Sequence, residues 1–315
     1  MNLFVDTGHV PLPVAHPDYD DIASLANDLL AAVGGQAAFE DRLRSFFRSA
    51  IDEVIDTART GRYFFADLEK TEKTYLGTKF EILLRDWLQV PRGVKLDLRI
   101  GDRDVDVKST TSESGTGWMI PPEAVDEFCI LLRVNEALAK CAVGIVKARS
   151  AYLRVGQNRD AKTSFSSEGR QNIWWMVSEF NYTPNFWSLI DRDTRNHIMQ
   201  PKAGTQRLAR LFKTCLGIPI SRVQVMAVAA QDDFMKRIRR NGGARDLLAP
   251  EGIAILYSEY DRSLMETLGV KAGYREFISV KADTEQKRIL LSKAGKIHFN
   301  PLQSNLAAPL SSTQP

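Results

Sequence analysis

Val94-Lys95-Leu96-Asp97-Leu98-Arg99-Ile100 and Asp104-Val105-Asp106-Val107-Lys108 alternate apolar with polar residues around a tip at Gly101-Asp102. A period of two marks half-buried strands, and a two-residue turn led by glycine suits type II′ geometry, so a β-hairpin is predicted. With that tip, Asp97 falls opposite Asp106 and Lys95 opposite Lys108. Asp97, Asp106 and Lys108 then share one face, while Leu96, Leu98, Val105 and Val107 face a core. Two carboxylates a cross-strand pair apart repel each other unless a cation lies between them. Mg2+ suits such a place, with hard oxygen ligands, few protein carboxylates, and water or phosphate completing the shell. Bound there, it would lower the pKa of a water and neutralise charge on phosphoryl oxygens. Lys108 would stabilise that charge or orient the water. A solvated hairpin of alternating charges fits the pattern equally well.

Outward from the hairpin, the period before it is helical. Ile22, Leu25, Leu29 and Val33 form one apolar stripe, and Phe39, Leu43, Phe46, Phe47, Ile51, Val54 and Ile55 a second, with Gly34-Gly35 between them. Lys73 to Leu88 repeats the pattern with Leu76, Phe80, Leu84, Trp87 and Leu88, until Pro91 and Gly93 end it. After the hairpin, the runs Phe128–Val134 and Cys141–Ala148 suit buried strands. Helices, a hairpin and buried strands make a mixed α/β domain.

The chain has 315 residues, 44% of them apolar and 26% charged, enough for roughly two domains with real cores. The sequence has no apolar run of about the 18 residues a membrane span needs, and no signal-peptide pattern is read at its start. Cys129, Cys141 and Cys215 are odd in number and far apart, which argues against a disulfide framework and fits a reducing cytoplasm. His9, His16, His197 and His298 are scattered, so a catalytic metal would have to be held by carboxylates.

Net charge is +3 but unevenly spread: residues 1–60 hold 10 acidic and 4 basic side chains, residues 201–250 hold 3 and 10. The basic excess suits a polyanion, and equally a solvated face. Beyond Ser150 the chain turns polar, and Asn181 to Asn185 reads as a linker. Short helices are expected over Phe186–Met199, Thr205–Leu216, Ile220–Ala230 and Asp232–Arg240. Strands are expected at Ile253–Tyr257, then at Arg288–Leu291 with Ile297–Phe299 about Lys293-Ala294-Gly295. Short helices followed by a hairpin resemble a winged helix-turn-helix.

Asp97 with Asp106-Val107-Lys108 resembles the PD-(D/E)XK nuclease core. The tripeptide alone is weak, since Asp160-Ala161-Lys162 and Glu285-Gln286-Lys287 also match, without a carboxylate-bearing partner strand. Such cores draw a further carboxylate from the preceding helix, where Glu81 lies, with Gly77 one turn earlier leaving room around it. More widely, the chain is similar to the NaeI family of type II restriction endonucleases. The similarity is carried by Thr60-Gly61-Arg62, by Lys70 to Thr74, by the interval from Glu81 through Asp97 to Lys108, and by Trp118 to Glu123. In the second half it is carried by Gln231 to Arg237, Gly242-Gly243-Ala244-Arg245 and Pro250-Glu251-Gly252. It runs from about residue 50 to 270. The loop Thr110–Gly117 is longer than the family pattern, which bears on the sequence that is cut.

The resemblance implies a restriction-endonuclease-like mixed sheet flanked by helices in residues 1–176, a linker at 177–185, and a mostly helical, winged-helix-like DNA-binding domain in 186–315. It implies Mg2+ held by Glu81, Asp97, Asp106 and the Val107 carbonyl, with Lys108 catalytic. It also implies a homodimer that cuts double-stranded DNA at a short palindrome, GCCGGC in the family's namesake, and binds a second site as effector. Lys73, Thr74, Arg207, Arg210, Lys236, Arg237, Arg239, Arg240, Gly242 and Gly243 are the candidate DNA contacts, with a capping role open for Thr74. Two alternatives stay open: a strand-nicking repair endonuclease on the same core, and a non-catalytic DNA-binding regulator.

Overall fold

Ile22, Leu25 and Leu29 lie on one side of α1 (Tyr19–Val33) and are buried. Gly34 ends that helix at φ 89, a conformation that a Cβ disfavours. α2 (Gln36–Ile55) buries Phe39, Leu43, Phe47 and Ile51, and the single turn α3 (Thr57–Thr60) follows. α4 (Lys70–Leu88) buries Leu76, Phe80, Leu84 and Leu88. Its first turn closes on itself: Glu69 N–H donates to Glu72 at 2.8 Å, and Arg62 grips the same carboxylate at 2.7 Å. α1, α2 and α4 are the three helices expected from periodicity. The computed structural model describes residues 9–112, 117–156 and 160–298.

β1 (Leu98–Ile100), β2 (Arg103–Thr110), β3 (Phe128–Asn135), β4 (Lys140–Lys147) and β5 (Trp174–Asn181) form one sheet in that order. Only the β2–β3 pair is parallel; the rest are antiparallel. Leu98, Ile100, Val105, Val107, Ile130 and Leu132 share a core with the apolar faces of α1, α2 and α4. Cys129, Leu131 and Val146 join a separate core with Trp118, Ile120 and Phe165. The sheet is therefore apolar on both sides, and a polar residue inside it needs a reason to be there.

The segment expected as a linker, 177–185, begins inside β5. Tyr182, Phe186 and Trp187 are buried, and the first compact unit runs to Leu189. The polar pair Ser178-Glu179 masks the strand in the sequence, although Trp174, Met176, Val177 and Phe180 are all buried in it.

The second unit, Ile190–Pro315, begins with α5 (Arg192–Met199), α6 (Gly204–Thr214), β6 (Ile220–Ser221), α7 (Arg222–Ala229), α8 (Phe234–Ile238) and α9 (Ala244–Leu248). β7 (Ile253–Tyr257), α10 (Arg262–Thr267), β8 (Glu276–Lys281) and α11 (Glu285–Lys293) follow among its described residues. Its sheet has the order β6-β8-β7, with both pairs antiparallel. The strand expected at Arg288–Leu291 is instead the middle of α11. Thr284 caps that helix by accepting the Lys287 N–H at 3.2 Å, and Leu291 alone is buried from it. The true partner of β7 is β8, a strand not expected from the sequence. Phe299 of the expected last strand, residues 113–116 of the Thr110–Gly117 loop, and the tail Leu306–Pro315 lie outside the described residues. No single helix among the described residues is long and apolar enough to cross a membrane.

Candidate active site

The hairpin has the expected register, with Leu98 paired to Val105, Arg99 to Asp104 and Ile100 to Arg103. Gly101 takes φ 61, as a turn led by glycine requires. β1, however, starts only at Leu98. Residues 94–97 bend away, so the expected Asp97–Asp106 and Lys95–Lys108 ladder pairs do not form, and Leu96 joins the core of Trp118 and Cys129 rather than that of Leu98. Side chains take over where the strand stops. Asp104 accepts the N–H groups of Val94 at 3.1 Å and Lys95 at 2.8 Å. Those backbone donors, Lys95 first, hold the Asp104 carboxyl below its ordinary pKa. Asp97 Oδ2 accepts the N–H of Val107 at 2.8 Å. The carboxylate thus reaches β2 through hydrogen bonding to its backbone.

Asp106 is only 3% exposed, in a sheet with no other carboxylate so deeply placed among the described strand residues of that unit. Lys108 answers it: Nζ lies 2.9 Å from Asp106 Oδ1, 2.8 Å from Oδ2 and 3.7 Å from Asp97 Oδ2, and donates to the Val107 carbonyl at 3.2 Å. Burial raises the Asp106 pKa despite the opposing lysine, and Asp97 adds to the rise. Burial works against the Lys108 charge, yet Asp106, Asp97 and Glu81 outweigh it and keep the ammonium protonated.

Glu81 projects from α4, beside buried Phe80 and one turn beyond Gly77, which faces Ser109 of β2. Burial first, and then the charge of Asp97, push its carboxyl up to about 7. Asp97 and Asp106 thus lie against one ammonium, and Glu81 stands within electrostatic reach of all three in a partly buried group. The set consists of hard oxygens, is deficient in positive charge, and includes Asp106 Oδ2, a buried oxygen without a hydrogen bond of good geometry. That donor chemistry fits a divalent cation held by few protein oxygens, with water and phosphate supplying the rest. Among the described residues, no three acidic, histidine or cysteine side chains are already drawn close enough to cage an ion. The other matches to the tripeptide lie outside both sheets: Asp160 stands in a turn, while Lys287 pairs with Asp283 within a turn of α11.

The candidate DNA contacts separate into two kinds. Lys73 lies 5.4 Å from the Phe65 ring centre, and Thr74 back-bonds to the Lys70 carbonyl at 3.1 Å; the cap of α4 is Glu69. Arg207 turns inward, donating to the carbonyls of Val228 at 2.6 Å, Pro201 at 2.8 Å and Lys202 at 2.9 Å. Arg210 is engaged with the His197 carbonyl and Gln200, both at 2.8 Å, and Arg237 with Asp233 at 3.1 Å. The Gly242 amide, expected to be open to a phosphate, already donates to Asp246 at 2.6 Å. Gly243 is required for packing, since a Cβ there would stand 2.0 Å from the Arg239 carbonyl oxygen. Lys236, Arg239 and Arg240 are exposed. Asp104, which ties residues 94 and 95 to the hairpin, and Ser109, which faces Gly77, were not expected in these places; nothing in the alternation distinguishes them from ordinary polar strand residues.

A mixed five-stranded sheet flanked by helices, with Asp97, Asp106 and Lys108 grouped at its edge hairpin, defines a restriction-endonuclease-like core. The model of the family "Restriction endonuclease NaeI" matches residues 39–289, wider than the resemblance read from motifs. The type II restriction enzyme NaeI of Lentzea aerocolonigenes is 34% identical over 269 residues, covering 83% of this chain and 82% of that protein. The chain belongs to the NaeI restriction endonuclease family. It is accordingly an enzyme of the site-specific deoxyribonuclease class, which binds double-stranded DNA, and restriction endonucleases in general use divalent metal ions.

Proposed function

We propose that this chain is a Mg2+-dependent type II restriction endonuclease, acting as a homodimer on a short palindrome, GCCGGC, in the cytoplasm. The observation that supports the chemistry is the contact of Asp97 and Asp106 with a single charged Lys108, with Glu81 of α4 within electrostatic reach of them. Asp97, Asp106 and Glu81 would hold the ion, with the Val107 carbonyl as a further oxygen. When bound, Mg2+ supplies a more acidic water and neutralises charge on the phosphoryl oxygens. Lys108, fixed on the strand beside Asp106, would face the phosphate and stabilise the negative charge that grows as water attacks and a phosphoester bond breaks. The first compact unit, residues 1–189, would carry this reaction.

The second unit would bind DNA through a winged helix-turn-helix. The order α6, β6, α7, α8, α9, β7, α10, β8 and the sheet order β6-β8-β7 support that reading, with α10 inserted between the two wing strands, as do exposed Lys236, Arg239 and Arg240. A second DNA site bound there would act as effector for the first. Digestion of a plasmid of known sequence with Mg2+, followed by sequencing of the ends, tests the whole proposal. Cuts on both strands at GCCGGC are expected, slow on a one-site plasmid and accelerated by a short duplex carrying the site. Nicks in one strand, or equal rates with and without added duplex, would exclude the double-strand or the effector part respectively.

A further inference from the structure

We infer that Gly77 is a positioning residue for Glu81: its missing side chain sets how closely α4 approaches β2, and so where Glu81 stands relative to Asp97, Asp106 and Lys108. The inference rests on the reading of Glu81 as a metal ligand. Gly77 sits inside a 19-residue helix whose backbone there has ordinary negative φ, so nothing in the turn geometry calls for glycine. Glycine in such a place weakens a helix relative to alanine, and its presence needs another cause. That cause is visible across the interface. A Cβ on Gly77 would stand 3.1 Å from Ser109 Oγ, with no other heavy atom within 4 Å.

Ser109 follows Lys108 directly in β2, and Glu81 follows Gly77 by four residues, on the same side of α4. The contact is therefore next in chain to the lysine on one element and one turn from the glutamate on the other. Leu76, Phe80 and Leu84 are buried in the core, so α4 cannot roll to make room for a new side chain. Close-packed interiors pass such a shift on to their neighbours. A methyl group at position 77 would need Ser109 Oγ to give by a few tenths of an ångström, and a larger side chain would have to push Ser109 and its strand away from α4, widening the space between Glu81 and the hairpin without altering any of the four charged groups.

The test is Mn2+ binding to the full-length protein without DNA, followed by electron paramagnetic resonance, alongside thermal melting. E81Q is expected to weaken Mn2+ binding. G77A should weaken it by a few-fold, and G77V by about 10-fold or more, as changes behind a metal ligand commonly do. S109A in the G77A background should restore binding to near wild type, because the crowding atom is Ser109 Oγ. G77A should melt no lower than wild type. Wild-type Mn2+ binding by G77A and G77V beside a weakened E81Q would overturn the inference alone, as would a G77A/S109A protein as weak as G77A. Undiminished binding by E81Q would overturn the ligand reading, and the inference with it.

Discussion

The backbone N–H of Val107 donates to Asp97 Oδ2 at 2.8 Å, so a side chain extends the β1–β2 ladder ahead of the point where β1 itself begins. The bond fixes the carboxylate against the strand that carries Asp106 and Lys108. One residue thereby joins hairpin structure to the candidate chemistry.

Those two duties separate by substitution. Asp97→Ala leaves the Val107 donor unpaired and should cost ~1–3 kcal/mol of stability, read by urea denaturation. Asp97→Asn retains an acceptor oxygen and should cost less, yet both variants should lose cleavage. An Asn variant that cuts plasmid at the wild-type rate would remove Asp97 from the metal site.

In the second unit, Arg207 and the exposed basic residues should respond differently. Arg207→Ala strips partners from the Val228, Pro201 and Lys202 carbonyls, and should lower the melting temperature while leaving the salt dependence of DNA binding in place. Neutralising Lys236, Arg239 and Arg240 together should leave melting unchanged. It should also flatten the log–log salt slope, by roughly 0.9 for each phosphate that is no longer neutralised. An unchanged slope in the triple variant would make those side chains a solvated face.

Arg48 of α2 is 1% exposed, with Nη2 2.6 Å from Asp52 Oδ1 and Nη1 3.0 Å from Glu136 Oε1. Removing it strands the buried Asp52 carboxylate, and Arg48→Ala should destabilise by ~3–5 kcal/mol. Replacing Arg48 with Met and Asp52 with Leu together should recover a large part of that loss, since burying apolar groups avoids the desolvation of charge. A double variant no better than the single one would show that the ion network itself, rather than the orphaned charge, holds the site.

Glu72 offers a pH test away from the site. Hydrogen bonds from Arg62 and from the Glu69 backbone hold its carboxyl at about 2, below the ordinary 4.5. Its folded pKa is depressed, so its contribution to stability is present above 4.5 and is lost as pH falls towards 2. Glu72→Gln should lower the melting temperature at neutral pH and narrow the gap to wild type over that interval. A pH-independent gap would sever the link to ionisation.

The hairpin register was legible because glycine at the tip and a period of two leave little freedom in pairing. What alternation could not convey was where β1 begins, which moved Leu96 to the other core and gave Asp97 its backbone partner. The three amphipathic helices were legible for the same reason as the hairpin, their apolar residues recurring at one period. β5 and β8 were not: Ser178-Glu179 interrupts the first, and the second was displaced by an apolar stretch, Ile289 to Leu291, that Thr284 caps into a helix. Of the site, residue types and spacing were readable in the chain, while partners were not. Arg207 reads as a phosphate ligand until its carbonyl acceptors are seen, and Gly242 as a free amide until Asp246 is placed.

Lys108 touches Asp106 through both carboxylate oxygens and reaches toward Asp97, so the protein brings its own counter-ion to the cluster. A nuclease built this way can wait without metal in a folded form, its mutual repulsion offset in part from within. Starvation for the ion should then silence it without denaturing it, and a chelator-treated sample should melt within a few degrees of an untreated one. A large drop in melting temperature on chelation would mean that the lysine does not serve that purpose.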